Sequence, residues 1–135
     1  MDISVCIFAK HETTRTTQLT FAGAKSVVYY VENGMIGKIL GDKIYLGGRT
    51  HDEPFTTKNF TLSEQASFYL LTDGIIDQNN TKRDKLGTQV LKDTLQTNSH
   101  KPMQLQATAI LQLLKEHQGN ESQRDDISII GVKLF

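Results

Sequence analysis

The segment Ile127–Leu134 is an apolar, β-branched run, and two helical patterns stand between it and every earlier strand-like segment. A strand that follows the helices has no sequence neighbour to pair with. It must return to a sheet built much earlier in the chain, so its pairing is non-local. Asp125-Asp126 stands directly before this strand, and Asp73-Gly74 comes directly after the earlier apolar strand Phe68–Leu71. If the two strands are antiparallel neighbours, the end of one meets the start of the other. Both carboxylate sites then fall at one edge of the sheet.

The rest of the chain supplies the sheet. Residues 3–9 read as a strand without helical spacing, His11–Thr17 as a polar connection, and Leu19–Ala22 as alternating strand interrupted by Gly23. Ser26–Val31 runs into Glu32-Asn33-Gly34, a strong turn signal, and Met35–Leu40 returns as the next strand. These segments predict an antiparallel meander. A flexible polar loop is expected over Gly47–Pro54, then weak alternation over Phe55–Leu62 and a strongly apolar strand at Ser67–Leu71. Asp77–Asn80 reads as a polar loop. Leu86, Val90, Leu91 and Leu95 form one stripe of a helix from about Lys85 to Leu95. A second helix has Pro102 in its first turn, carries Leu105, Ala109, Ile110, Leu113 and Leu114, and ends at Gly119. Strands followed by segregated helices predict an α+β fold with helices on one sheet face.

Composition narrows the function. Among 135 residues, 15 basic and 15 acidic side chains cancel, which argues against nucleic-acid binding through a strong positive field. No apolar run approaches the roughly 20 residues of a membrane span, and Asp2 stands where a signal peptide would carry its basic region. The single cysteine, Cys6, leaves no intrachain disulfide framework and fits a reducing, cytoplasmic setting.

Asp73 and Asp125 are the residues best suited to chemistry. Magnesium-like cations want hard oxygen ligands, and one or two carboxylates plus waters often hold them. The plainer reading stays beside this one: Asp-Gly after a strand is an ordinary turn, and Asp-Asp ordinary solvated polarity. His11, His51, His100 and His117 show no zinc-helix spacing. His117, at a helix end, reads as a dipole-complementing residue, and Cys6 as a small buried hydrophobe. Gly41, Gly47 and Gly48 make no phosphate-cradling loop, because no Gly-Lys-Ser/Thr follows.

Four segments together resemble one family. Leu70-Leu71-Thr72-Asp73-Gly74-Ile75-Ile76-Asp77-Gln78 is similar to the strand-Thr/Ser-Asp-Gly segment of PPM-type, SpoIIE-like bacterial serine/threonine phosphatases. Gln123–Val132 resembles their closing Asp-Asp-hydroxyl-strand motif. Leu19–Ala24 looks like their Ala-Gly-small hairpin, and Gly41-Asp42-Lys43 with Leu46-Gly47-Gly48 like their Gly-Asp, then Leu-Gly, segment. The resemblance implies an antiparallel β-sandwich flanked by helices. It also implies hydrolysis of phosphoserine or phosphothreonine by a water held between two Mn²⁺ or Mg²⁺ ions. Carried over by position, Asp73 and Asp125 are metal ligands and the catalytic carboxylates, Gly74 keeps the backbone close to the metal site, and Asp126 is a hydrogen-bonding residue behind them. The implied substrate is a phosphorylated regulatory protein of the anti-sigma-factor antagonist type, in partner-switching signalling.

The chain departs from the pattern in two respects. The family's upstream Asp and Gly-His-Gly-like segment is absent, and Ala24 stands where some relatives carry a further Asp. Residues 1–135 are therefore expected to be the C-terminal portion of a phosphatase domain, incomplete on its N-terminal side. Such a portion is expected to bind metal weakly, and its exposed sheet surface to favour self-association or an added strand from a partner. The competing expectation is a phosphatase-like interaction module without catalysis.

Overall fold

The structure is a computed structural model that describes residues 2–47 and 54–133. Most of the expected Gly47–Pro54 loop, with Gly48 and His51, lies outside the described residues, as does Leu134. Seven strands and three helices follow in the order β1 (Ile3–His11), β2 (Thr16–Ala24), β3 (Val27–Glu32), β4 (Met35–Leu40), β5 (Lys58–Ser63), β6 (Ser67–Leu71), α1 (Gly74–Asp77), α2 (Thr88–Asn98), α3 (Met103–Gln118) and β7 (Ile129–Lys133).

The strands form two antiparallel sheets, β1-β2-β5 and β4-β3-β6-β7. The expected single meander is therefore split: β2 pairs with β1 and β5, not with β3. The chain changes sheets at Gly23–Ser26, where Lys25 takes a φ of 45°. Asp42 locks the corner there, its N–H donating to the Gly23 carbonyl and its carbonyl accepting from the Lys25 N–H, both at 2.7 Å. A Cβ on Gly41 would lie 2.5 Å from that Gly23 oxygen, so this approach needs glycine.

Two apolar layers result. Between the sheets, Leu19, Phe21 and Leu62 meet Val28, Ile39 and Phe68, and the rings of Phe8 and Phe68 pack edge to face at 4.9 Å. On the other face of the four-stranded sheet, Tyr29, Val31 and Tyr69 lie under Leu91 and Leu95 of α2 and Ile110 of α3. Strand β3 is thus covered on both faces. That explains why Val27–Val31 reads as a continuous apolar run rather than an alternation.

Helix boundaries move for local reasons. The first expected helix begins at Thr88 rather than Lys85, because Gly87 adopts a φ of 80° and breaks the helical path. Leu86 is still buried, but from the preceding loop. Val90 and Leu105, placed on core stripes by spacing, are exposed. Pro102 immediately precedes α3, where its missing N–H costs nothing.

Candidate metal corner

The closing strand pairs where its non-local character requires. β7 lies antiparallel beside β6, with Leu71 opposite Ile129 and Ser67 opposite Lys133. The ladder continues past both strand ends through Thr72. Its N–H donates to the Ser128 carbonyl at 3.0 Å. Its hydroxyl accepts from the Ser128 N–H at 3.0 Å and donates to the Asp126 carbonyl at 2.9 Å. One threonine therefore clasps the segment that carries Asp73 to the segment that carries Asp125 and Asp126.

Gly74 completes the clasp. It is buried, and a Cβ there would lie 2.4 Å from the Asp126 carbonyl oxygen, closer than any real contact. The glycine is needed for this approach of two backbones, after which the chain enters the single-turn helix α1 and buries Ile75. The expected loop at Asp77–Asn80 is thus partly helical. Two of its polar residues, Gln78 and Asn79, are buried.

Those two residues hold the corner from behind. The Gln78 amide donates at 3.1 Å to the carbonyls of Asn79 and Ser122, and its oxygen faces the Arg124 N–H at 3.4 Å. The Asn79 amide, turned so that its oxygen faces Arg124, accepts from both guanidinium nitrogens at 3.2 and 3.3 Å. The stretch after Asp73 and the stretch before Asp125 are therefore joined on both sides. His117 has a packing role beyond its place at a helix end: its Nε2 lies 3.1 Å from the carbonyls of both Gln78 and Asp84. Sequence reasoning gave Gln78 and Thr72 no role. A polar residue in a polar run carries no burial signal, and a threonine beside Asp-Gly shows its clasp only once the strands pair.

The acidic side chains themselves are exposed. The Asp73 carboxylate does not cap α1, and the Asp125 carboxylate accepts the N–H of Asp126 at 2.7 Å. Among the described residues the ion pair is Lys85–Asp77, at 2.9 Å, so neither Asp73 nor Asp125 is neutralised by a basic partner. Asp73, Thr72 and Ser128 open onto a cleft of about 360 Å³ whose lining also includes Asp2, Lys25 and Ser26. Asp125 does not line it. The Lys25 ammonium rests 3.5 Å from the centre of the Tyr45 ring.

The other sequence candidates lie elsewhere. Cys6 is half-buried on β1, and burial pushes its thiol pKa up, so it makes a poor nucleophile. His11 ends β1, and His100 is exposed beyond α2. Ala24 is buried and bridges Asp42, so it offers no ligand. The donors at the corner are hard oxygens of the kind Mg²⁺ and Mn²⁺ prefer, but the set is short. Among the described residues no group of three or more His, Cys, Asp or Glu side chains is placed to hold a metal ion. The corner by itself therefore brings together fewer carboxylates than such a group would need.

No curated protein matches the chain. Among solved structures it is similar to the SiaA-PP2C domain of Pseudomonas aeruginosa, at 32% identity and a TM-score of 0.79, over 87% of this chain and 47% of that one. It also shares its fold with the Mn-presoaked phosphatase domain of the cell fate determinant SpoIIE from Bacillus subtilis. The identity there is 10% and the TM-score 0.61, over 97% of this chain and 56% of that one. A third likeness is to the catalytic domain of the serine/threonine phosphatase PstP in complex with 2 manganese ions, at 15% identity and a TM-score of 0.57, over 95% and 56% of the two chains. The chain thus spans about half the length of these structures. The family model described as Stage II sporulation protein E (SpoIIE) matches residues 1–135. With two antiparallel sheets, a helical layer and the β6–β7 acidic corner all in place, the chain belongs to the SpoIIE family and represents part of a PPM-type phosphatase domain.

Proposed function

We propose that this chain supplies the C-terminal half of the active site of a metal-dependent serine/threonine phosphatase. Asp73 and Asp125 act as metal-ligating carboxylates, Gly74 lets the two loops close up, and Asp126 holds the corner behind them. The supporting observation is the clasp of Thr72 and Gly74 onto the Asp126 carbonyl, which joins the two acidic loops. The bound metal, Mn²⁺ or Mg²⁺, would supply the activated water for hydrolysis in the complete domain. Asp73 and Asp125 would hold it through their carboxylate oxygens, the hard donors that such ions prefer. The substrate is a phosphoserine or phosphothreonine in a small regulatory protein of the anti-sigma-factor antagonist type, and the setting is cytoplasmic partner-switching signalling. No helix among the described residues is long and apolar enough to cross a membrane, which is compatible with that setting.

The test is manganese-dependent phosphate release from a phosphoserine protein by the native gene product that carries this segment. Asp73→Asn should abolish the release, and an unchanged rate would remove Asp73 from the mechanism. The short donor set favours a second reading, a phosphatase-like module that binds partners without hydrolysis. That reading predicts partner binding unaffected by Asp73→Asn and by metal removal.

A further inference from the structure

Asp125 stands in a stretch, residues 121–128, that is neither helix nor strand, so no ladder fixes it. Contacts from one short segment hold this stretch instead. Beyond Asp125, the Thr72 hydroxyl and the Gly74 backbone hold Asp126 and Ser128. Ahead of it, Gln78 and Asn79 hold Ser122 and Arg124. The Gln78 amide donates to the Ser122 carbonyl at 3.1 Å, and its oxygen accepts the Arg124 N–H at 3.4 Å. The Asn79 oxygen accepts from both Arg124 guanidinium nitrogens at 3.2 and 3.3 Å. Gln78 and Asn79 are 1% and 6% exposed, so this grip is made inside the chain and owes nothing to its open surfaces.

We propose that Asn79 and Arg124 are a positioning pair for Asp125: their link, set in place by Gln78, completes a two-sided grip that fixes where the Asp125 carboxylate stands relative to Asp73. The inference rests on the metal-corner reading and names residues that act through Asp125. The partner that Arg124 takes carries the argument. Two exposed carboxylates, Asp125 and Asp126, follow it directly in the chain, yet among the described residues Arg124 forms an ion pair with neither. Its guanidinium goes to a buried, neutral amide instead. The loop is thus tied down without cancelling the charge of the carboxylate beside the tie. Magnesium-like ions demand near-ideal oxygen geometry, so a carboxylate loosened on one side binds them less well. Partners that orient metal ligands are commonly worth about ten- to a hundredfold in affinity.

In the metal-free full chain, Asn79→Leu should loosen residues 123–125 in amide relaxation. Residues 126–128, still held by Thr72 and Gly74, should stay as rigid as before. In a Mn²⁺ titration followed by amide broadening, Asn79→Leu should raise the half-saturating concentration about tenfold. Arg124→Met, at an exposed position that the fold tolerates, should do the same. The double variant should lose no more than either alone, because both substitutions break one link. Asn79→Asp keeps the acceptor oxygens and should hold the starting value. Ile39→Val, in the core between the sheets, should lower stability without moving that concentration. Additive losses, a half-saturating concentration unmoved by Asn79→Leu, or an Asn79→Asp chain as weak as Asn79→Leu would overturn the positioning pair. Loosening spread evenly over residues 121–128 would also overturn it. An unsubstituted chain that takes up no Mn²⁺ would instead overturn the metal reading beneath it, and the relaxation readout would still decide whether the pair holds the loop.

Discussion

The two sheets follow the same alternation rule and end up in different surroundings. In β3 and β6 of the four-stranded sheet, Tyr29, Val31 and Tyr69 face away from the sandwich and are buried all the same, because α2 and α3 cover them. In β1 of the three-stranded sheet, Ile3, Val5 and Ile7 also face away from the sandwich, and no helix of the described chain lies over them. A period-2 pattern states which residues share a face; it does not state what covers that face. The acidic corner sits at the end of the doubly covered sheet, where β6 and β7 are held from both sides. The bare face belongs to the sheet that carries none of the proposed ligands.

The largest effects should come from the covered side. Phe68→Ala removes a fully buried ring between the sheets and should cost about 3–5 kcal/mol in urea unfolding. Next is Gly74→Ala, whose Cβ would press on the Asp126 carbonyl. It should cost about 1–3 kcal/mol, and the amide shifts of residues 125–128 should move with it. Thr72→Val keeps the shape and removes the hydroxyl. It leaves the Ser128 N–H and Asp126 carbonyl without that partner and should cost about 1–2 kcal/mol in the same measurement.

A smaller effect is expected in alkali. Burial raises the phenol pKa of Tyr69, whose hydroxyl donates to Gln106, and burial also raises that of Tyr29. A group whose pKa is higher folded than unfolded keeps its full contribution below the unfolded value, here about 10. The contribution is lost as pH rises through the folded value. Unfolding free energy should therefore fall above about pH 10, and Tyr69→Phe should flatten part of that fall. Smallest of all, Ile7→Thr on the bare face should change the stability of the chain by no more than about 0.5 kcal/mol. A large loss there in dilute solution would mean that the face is covered after all.

The features legible in the sequence were those with a local cause. Turn residues marked the β3–β4 hairpin at Asn33-Gly34, apolar spacing marked α2 and α3, and the isolated strand after the helices required a non-local partner. The partition of strands into two sheets was not legible from periodicity. It is set by the crossing of Gly23 and Gly41, two backbones distant in sequence. The resemblance to the phosphatase family supplied the sandwich that spacing alone did not. Helix α1 is a single turn, too short to show a period. The burial of Gln78 and Asn79 depends on the carbonyl of Ser122 and on the donors of Arg124, both more than forty positions later. At the corner, the pairing of Asp73 with the Asp125 segment could be argued from strand ends. The means of that pairing, a threonine hydroxyl and a missing Cβ, became visible only with the strands in register.

The central claim is that the Asp73 and Asp125 loops form one corner able to share a divalent ion. Paramagnetic broadening of amide signals during a Mn²⁺ titration of the full chain tests it most directly. The account predicts that residues 72–74 and 125–128 broaden together at the same Mn²⁺ concentration, and that Asp73→Asn removes the effect from both segments. Broadening of one segment without the other, or of neither, would contradict it.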